Sequence, residues 1–254
     1  MGQIAVITGG TAGIGLACAR KFVDDGGTVV ISGRSAERGR KALAELGAGD
    51  RARYIPCDVT DPRQVTSLVE ETIDEYRRID VLVNNAGGVT DQGKPVSEVD
   101  DDALSRGFTL NVNSAFWACR AVLPHMLPRG YGRIINMSSI AGKTGVAGLV
   151  GYTTAKHALI GFTKTLAKEV TTRGVTANAV CPGITDTEMI PRELQGAIET
   201  AGVDFGQAAA YYTGDLGRMV EPAEVAAVVA VLASPQGAAI SGAAISVDGG
   251  FSQY

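Results

Sequence analysis

The sequence predicts an α/β protein built on a doubly wound parallel sheet of seven strands, with helices on both faces. Two observations support this prediction. Short runs of β-branched and aliphatic residues alternate with segments of helical length along the chain, which is the order expected of parallel strands joined by helices. Several of the short runs are apolar almost throughout, as strands covered on both faces are.

The alternation places each element in turn. The strand candidates are Ile4–Thr8, Thr28–Ser32, Arg53–Cys57, Val81–Asn84, Arg133–Met137, Val175–Val180 and Ala243–Val247. The helix candidates include Ile14–Asp24, Gln64–Tyr76, Asp101–Met126, Tyr152–Thr172 and Pro222–Leu232. No linker, repeat or low-complexity tract interrupts this rhythm, so we expect residues 1–254 to form a single Rossmann-like domain.

Composition excludes several classes of function. Lys and Arg total 23 against 27 Asp and Glu, a net charge of −4, whereas a nucleic-acid partner requires a basic field. The apolar stretch Val225–Ala233 is far shorter than a membrane span, and Gln3–Ile7 is too short for the core of a signal peptide. We therefore expect a cytoplasmic protein with no nucleic-acid partner and no membrane.

The cysteines and histidines do not indicate a metal site. The chain has four cysteines, scattered singly, and two histidines, and neither zinc-ligand nor redox spacing occurs. We expect buried free thiols and no metal. A Ser-His-Asp hydrolase is also disfavoured, since no Gly-x-Ser-x-Gly motif is present.

One long segment, Thr187–Arg218, falls outside the alternation. It mixes glycines, among them Gly196 and Gly202, with large apolar side chains such as Phe205 and Tyr211. Ligands of doubly wound sheets bind outside the carboxyl ends of the strands, and a long insertion after a late strand is typical of a lid. We expect residues 187–218, together with Lys143–Val150, to shape a substrate pocket. The alternative is a surface excursion without a gating role.

The first strand leads into a glycine-rich turn, Thr8–Gly15, with the sequence TGGTAGIG. Gly9 permits a sharp turn, Gly13 lets backbone approach a pyrophosphate, and Gly15 lets the following helix pack closely on the strand. The helix then directs its free N–H groups at the phosphates. The turn indicates a dinucleotide site, the alternative being an ordinary tight strand-to-helix connection.

The end of the second strand distinguishes the two nicotinamide cofactors. A binder of NAD offers an acidic residue to the ribose 2′-hydroxyl there, but this chain has Gly33 and Arg34 and no acid before Glu37. Arg34 presents a planar donor fork suited to a 2′-phosphate, and Ser32 or Ser35 can add hydrogen bonds. We therefore expect NADP, with NAD as the alternative. An exposed arginine without a ligand is the other interpretation of Arg34.

Two more segments carry reactive side chains. Ser139 follows the fifth strand, and Tyr152 and Lys156 lie four residues apart at the start of a helix, so the ammonium can lie near the phenol. A free tyrosine has a pKa of about 10, and lowering it to about 7 requires roughly 4 kcal/mol of preferential stabilisation of the phenolate. A nearby lysine in a partly dry site is a plausible source of that stabilisation.

At these residues the chain resembles the classical short-chain dehydrogenases/reductases, over nearly its whole length. The matching segments are Thr8–Gly15, Asp58, Asn84–Gly87, Asn111, the set Ser139, Tyr152 and Lys156, and Pro182–Thr187. With the residues argued above, the resemblance implies these cofactor contacts: Gly9, Thr11, Gly13, Ile14, Gly15, Arg34, Ser35, Asp58, Val59, Asn85, Ala86, Gly87, Tyr152, Lys156, Pro182, Gly183, Ile184 and Thr187.

The resemblance also implies the catalytic roles. Tyr152 is the general acid in reduction and the base in oxidation, while Lys156 lowers the Tyr152 pKa and binds the nicotinamide ribose. Ser139 stabilises the developing alkoxide. Asn111 holds a water that links Lys156 to solvent, although Asn113 stays open as the alternative.

Within that family the chain looks most like the 3-oxoacyl thioester reductases of fatty-acid and polyketide synthesis. The implied reaction is NADP-dependent reduction of a ketone to a secondary alcohol, on a small-molecule substrate that is free, CoA-linked or bound to a carrier protein. Arg173 aligns with a residue that docks the acyl carrier protein. The resemblance further implies a homotetramer formed through the two long helices and a C-terminal face. The alternatives are an NAD(P)-dependent dehydrogenase of a secondary or cyclic alcohol and a non-catalytic protein that senses the cofactor.

Overall fold

Seven parallel strands form one sheet in a computed structural model that describes residues 2–91, 93–188, 202, 204, 206 and 213–252. The strands are β1 (Ile4–Thr8), β2 (Thr28–Gly33), β3 (Ala52–Pro56), β4 (Val81–Asn84), β5 (Gly132–Met137), β6 (Val175–Pro182) and β7 (Ala244–Val247). Their order across the sheet is β3-β2-β1-β4-β5-β6-β7. The predicted strands are confirmed, and each boundary lies within two residues of its predicted position.

The helices that cover the sheet also follow the prediction closely. They are α1 (Gly13–Asp24), α2 (Ala36–Leu46), α3 (Pro62–Tyr76), α4 (Asp101–Phe108), α5 (Ser114–Met126), α6 (Val150–Val170) and α7 (Pro222–Ala233). The predicted single helix Asp101–Met126 is wrong in one respect, because a π-helical turn at Thr109–Asn113 separates α4 from α5. Within the described ranges, no helix combines the length and apolarity needed to cross a membrane.

The core lies on both faces of the sheet. Successive strand residues point to opposite faces, so Val6 and Ile7 of β1 contribute to different halves of the core. One half packs against α1 and α7 through side chains such as Phe22 and Leu232. The other half packs against α3, α5 and α6. This two-sided burial explains why the strands are almost purely apolar.

All four cysteines are free and buried, as predicted. Burial raises the pKa of the Cys18 and Cys119 thiols to about 12, so neither is a thiolate at neutral pH. They act as small apolar core residues.

The strand order reverses between β1 and β4, because β2 and β3 lie on one side of β1 and β4 to β7 lie on the other. Ligands of such sheets bind outside the carboxyl ends of the strands at this crossover. Thr8 and Asn84, the last residues of β1 and β4, are register partners there. Most of the predicted lid, including residues 189–201 and 207–212, lies outside the described residues.

Candidate active site

The glycine turn after β1 has a backbone that glycine alone adopts without strain. Gly9 and Gly13 have φ angles of +63° and +53°, in the left-handed region that disfavours other residues. A Cβ on Gly15 would lie 2.4 Å from the Gly9 carbonyl oxygen and 2.5 Å from Asn85 Nδ2. The positive φ of Gly9 fits the sharp turn predicted there, and the short contacts at Gly15 fit the predicted close approach of α1. The predicted role of Gly13, approach of its backbone to a pyrophosphate, stays a prediction.

The N-terminus of α1 fits an anion. Its N-cap, Ala12, offers no side-chain hydrogen bond, and the first turn of the helix contains no acidic residue. The first N–H groups of a helix lack partners within the helix and carry a partial positive charge. Backbone donors at this turn are thus free of a side-chain cap from the described residues, which suits a pyrophosphate.

Thr8 links the ends of the two strands that border the crossover, a role that the sequence analysis did not assign to it. Its Oγ1 accepts hydrogen bonds from Asn85 N (3.0 Å) and Ala86 N (3.1 Å). Asn85 Nδ2 in turn donates to the carbonyl oxygens of Thr8 (3.0 Å) and Gly9 (3.1 Å). The predicted residues Asn85 and Ala86 therefore lie against the glycine turn. A threonine directly before such a turn was the available signal.

The end of β2 carries the residues predicted to select the cofactor. Arg34 and Ser35 are exposed, and Ser35 also caps α2 by accepting a 3.3 Å hydrogen bond from Arg38 N. Ser32 is 0% exposed, so of the two serines predicted to add hydrogen bonds to a 2′-phosphate, the geometry favours Ser35. A Cβ on Gly33 would lie 3.2 Å from Thr11 Oγ1, which places the predicted Thr11 beside this strand end.

Asp58, after β3, lies near Arg34. Its carboxylate accepts hydrogen bonds from Thr60 N (3.0 Å) and Thr60 Oγ1 (2.8 Å). The Thr60 N–H lowers the Asp58 pKa most, with smaller contributions from the Thr60 hydroxyl and the Arg34 charge. Asp58 is thus held ionised at this rim of the site. The neighbouring Val59 side chain is buried in the core.

Tyr152 and Lys156 share one face at the start of α6, as predicted. Lys156 is 3% exposed, and its Nζ lies 5.4 Å from the centroid of the Tyr152 ring. The same Nζ donates a 2.9 Å hydrogen bond to the Met137 carbonyl at the end of β5. Ser138 Oγ donates to the Lys156 carbonyl at 3.1 Å. These contacts fix the first turns of α6 against the end of β5, next to Ser139.

Ser139 begins a short 3₁₀ turn, Ile140–Gly142, and its Oγ accepts a 3.1 Å hydrogen bond from Ala141 N. The side chain is partly exposed. A Cβ on Gly142 would lie 2.9 Å from the Lys156 carbonyl oxygen and 3.0 Å from Ile160 Cδ1. The turn that carries Ser139 therefore packs directly on α6, the helix of Tyr152.

Asn111 and Lys156 meet over Gly87. A Cβ on Gly87 would lie 2.7 Å from Asn111 Oδ1 and 3.1 Å from Lys156 Nζ. Asn111 is 2% exposed within the π-helical turn, whereas Asn113 is exposed. The geometry thus favours Asn111 over Asn113 as the asparagine of the site. π-Helical turns occur frequently at functional sites.

The segment after β6 reaches the glycine turn. Gly183 N donates to Val247 O at 2.9 Å, and a Cβ on Gly13 would lie 3.2 Å from Thr187 Cγ2. Thr185 is bridged to Val220 beyond the predicted lid. The structure therefore brings the predicted segment Pro182–Thr187 over the start of α1.

A cavity of about 350 Å³ opens beside the first turn of α6. It is lined by Lys94, Val96, Gly145, Val146, Ala147, Gly148, Val150, Thr153 and Thr154. Most of the lining is apolar, and five of its nine residues lie within Lys143–Val150, the segment predicted to shape the substrate pocket.

Comparison with known proteins agrees with this arrangement. The family described as short chain dehydrogenase matches residues 3–197. The 3beta-hydroxysteroid dehydrogenase of Mediterraneibacter gnavus is 36% identical, the match covering 99% of this chain and 95% of that protein. The 3-oxoacyl-[acyl-carrier-protein] reductase of Vibrio harveyi is 37% identical, covering 98% of this chain and 97% of that protein.

A solved structure shares the fold across the full length. The crystal structure of a variant of actinorhodin polyketide ketoreductase with NADPH superposes with a TM-score of 0.94 at 36% identity, covering 100% of this chain and 98% of that one. Fold, glycine turn and family match lead to one conclusion. The chain belongs to the short-chain dehydrogenase family and is an NAD(P)-dependent oxidoreductase.

Proposed function

We propose that the protein is an NADPH-dependent ketoreductase that reduces a 3-oxoacyl or polyketide-like ketone to a secondary alcohol, with Tyr152 as the general acid. The observation that carries the proposal is the position of the buried Lys156 ammonium 5.4 Å from the Tyr152 ring centroid, at the carboxyl edge of the sheet. A cation in this place favours the phenolate and makes proton transfer accessible near neutral pH.

The residues of the crossover would hold the cofactor. The uncapped α1 N-terminus and the backbone of Gly9 and Gly13 suit the pyrophosphate. Asp58 lies at the adenosine end, and Arg34 supplies a cation where NAD binders carry an acid. The related actinorhodin ketoreductase was solved with NADPH, in agreement with the predicted preference. When bound, NADPH supplies the hydride that the carbonyl carbon receives.

The remaining chemistry belongs to side chains of this chain. Ser139 donates a hydrogen bond to the substrate carbonyl oxygen and stabilises the negative charge that develops there. Tyr152 then delivers its proton to that oxygen, which completes the alcohol. Lys156 stabilises the resulting phenolate until a proton returns from solvent.

Asn111 contributes to the proton return through its backbone. Its side-chain Nδ2 donates to the carbonyl oxygens of Gly88 and Gly107, both at 2.9 Å, and its Oδ1 accepts from Gly88 N at 3.0 Å. The side chain is therefore engaged in holding the loop after β4. A water that Asn111 holds for Lys156 would be bound by the Asn111 carbonyl.

The substrate class rests on the relatives and on the cavity beside α6. Two of the three relatives described above are named as ketone reductases of acyl or polyketide substrates, and the cavity lining is mainly apolar. Arg173, the residue expected to dock a carrier protein, is exposed beyond the far end of α6, roughly 30 Å of helix from Tyr152. A carrier bound at Arg173 would therefore lie at the end of α6 opposite to the Tyr152 of its own chain.

An aromatic contact between α5 and α6 supports the proposed tetramer. Phe116 of α5 is 44% exposed and meets Phe162 of α6 edge-on, with 5.9 Å between the ring centroids. A half-exposed Phe116, packed against the partly buried Phe162, supports assembly through this face of the two long helices.

A second function is favoured by a specific relative. The Mediterraneibacter gnavus protein is named as a 3beta-hydroxysteroid dehydrogenase, which oxidises a cyclic secondary alcohol. The same side chains serve oxidation, because the Tyr152 phenolate is then the base. Initial rates with CoA- and carrier-linked 3-oxoacyl compounds, simple ketones and cyclic alcohols, each with both cofactors, separate the two functions.

The Tyr152→Phe variant tests the catalytic assignment. Loss of the hydroxyl is expected to lower kcat by at least about a thousandfold while the NADPH Kd stays within about threefold, because the ring remains and only the proton donor is lost. Tyr131→Phe is the control. The Tyr131 hydroxyl accepts a hydrogen bond from Gln3 at the amino ends of the strands, away from the site. Retained turnover in Tyr152→Phe would exclude the proposed acid.

A further inference from the structure

Asp91 is a buried carboxylate outside the catalytic set that contacts the helix of Tyr152. It is 1% exposed and lies in the loop after β4. Its Oδ2 accepts a 2.6 Å hydrogen bond from Gly151 N, the residue directly before Tyr152. Within the described part of the chain, Asp91 Oδ1 has no hydrogen-bond partner.

Helix α6 has no cap of its own. The residue at its N-cap, Leu149, offers no side-chain acceptor, so the first N–H groups need acceptors from elsewhere. Asp91 supplies one from 60 residues away in the sequence. A carboxylate at a helix N-terminus is also favoured by the helix dipole.

Gly151 makes this approach possible. A Cβ at that position would lie 3.3 Å from Asp91 Oδ2, which is tighter than most Cβ contacts, and 3.5 Å from Asp91 Cγ, an ordinary van der Waals distance. The absence of a side chain at Gly151 thus lets the Asp91 carboxylate lie close to the start of α6.

The loop that presents Asp91 is itself fixed on its other side. Asn111 bonds both the N–H and the carbonyl of Gly88. Thr90 Oγ1 donates to the Ala103 carbonyl of α4 at 2.9 Å. Asp91 therefore extends from an anchored segment, and its carboxylate connects the Asn111 turn to the first turn of α6.

We infer that Asp91 is a positioning residue for Tyr152, holding the first turn of α6 where the phenol meets the substrate oxygen. The inference rests on the proposed function, in which Tyr152 gives the proton. A misplacement of a reacting group by about 1 Å can cost roughly a hundredfold in rate, so an anchor one residue away from the phenol bears directly on turnover.

Two substitutions at Asp91 test the inference. Asp91→Ala removes the acceptor, whereas Asp91→Asn keeps an amide oxygen that Gly151 N can reach. We expect Asp91→Ala to lower kcat by at least about tenfold with the NADPH Kd within about threefold, and Asp91→Asn to recover most of the loss. Asp91→Ser, whose hydroxyl is too short to reach, replaces the alanine variant if that one does not fold.

Hydrogen exchange of the cofactor-free protein gives a readout that is independent of activity. Amides in a peptide spanning residues 148–156 are expected to exchange several-fold faster in Asp91→Ala and at the wild-type rate in Asp91→Asn. Asp61→Ala is the matched control, because Asp61 caps α3, outside the Asp91 anchor, through a 2.9 Å hydrogen bond from Arg63 N. It should leave this peptide unchanged.

The outcomes are distinct. Faster exchange with unchanged kcat in Asp91→Ala would reduce Asp91 to a structural cap and overturn the inference. Equal losses of kcat in Asp91→Ala and Asp91→Asn would overturn it as well, since the acceptor would then not be what matters. Failure of the proposed function shows differently, as full turnover in Tyr152→Phe with normal exchange at residues 148–156.

Discussion

The Lys156 ammonium lies 5.4 Å from the centroid of the Tyr152 ring while it donates a hydrogen bond to the Met137 carbonyl. One bond therefore ties the cation to the end of β5, and the helix places the phenol within its field. Because Lys156 is buried, solvent screens the interaction less than at the surface. The relationship supports the proposal that Tyr152, whose ordinary pKa is about 10, exchanges its proton with substrate near neutral pH.

The cofactor preference is expected to depend on the end of β2. Arg34→Leu should lower the NADP/NAD ratio of kcat/KM by roughly 10- to 100-fold, the value of a charged hydrogen bond to phosphate. Adding Gly33→Asp should turn the preference toward NAD, although its Cβ must fit 3.2 Å from Thr11. Lys41→Gln is the control. It removes an exposed charge from α2, the helix that follows Arg34, and should leave the ratio unchanged. An unaltered ratio in Arg34→Leu would refute the assignment.

The glycine turn is expected to be intolerant of a single methyl group. Gly15→Ala would place Cβ 2.4 Å from the Gly9 carbonyl oxygen, so it should lower the free energy of unfolding by about 1–3 kcal/mol and weaken cofactor binding. Gly161→Ala is the control: a Cβ there meets no described atom within 4 Å, and alanine in a helix should stabilise by roughly 0.5–1 kcal/mol. Urea denaturation and cofactor titration measure both effects, and equal stability of the two variants would contradict this account.

Local patterns in the sequence were enough for the sheet and for most of the site. The apolar strands, the turn Thr8–Gly15 and the pair Tyr152 and Lys156 each carry their signal within a few residues. Ser139 and Asn111 needed the family resemblance as well, because a lone serine or asparagine has no periodicity that marks it.

The contacts that the sequence could not predict are long-range. Asp91 reaches Gly151 across 60 residues, and Thr8 meets Asn85 across 77. Ser32 is buried because helices cover both faces of β2, which depends on the packing of the whole sheet. The π-helical turn at Asn111 is likewise set by packing of the chain around Gly88 rather than by helix propensity.

The stability of the enzyme in acid is expected to depend on Glu224. This carboxylate accepts hydrogen bonds from Arg218 and from Glu221 N. The Arg218 guanidinium first, and then the Glu221 N–H, lower its pKa from 4.5 to about 2. A lowered folded-state pKa means that the stabilisation is complete above about pH 5 and is lost as the pH falls toward 2.

Glu224→Gln should therefore be less stable than wild type at neutral pH, with the difference shrinking progressively below pH 5. Urea denaturation of both proteins at several pH values between 3 and 7 measures the gap. The difference in free energy of unfolding between wild type and Arg218→Leu should shrink with falling pH in the same way. The double variant should be only a little less stable than either single variant, because both lose the same ion pair. A gap that is constant with pH would rule out the ion pair as its source.

The most direct test of the account is the pH profile of alcohol oxidation in wild type and in Lys156→Met, which keeps the volume but not the charge. We predict a wild-type profile that rises well below the pH of about 10 at which a free tyrosine ionises, and a variant profile that is displaced upward and slower at pH 7. Lys164→Met, at an exposed position of the same helix, should follow wild type. If Lys156→Met titrates at the wild-type pH, the lysine does not set the acidity of Tyr152 and the account is wrong.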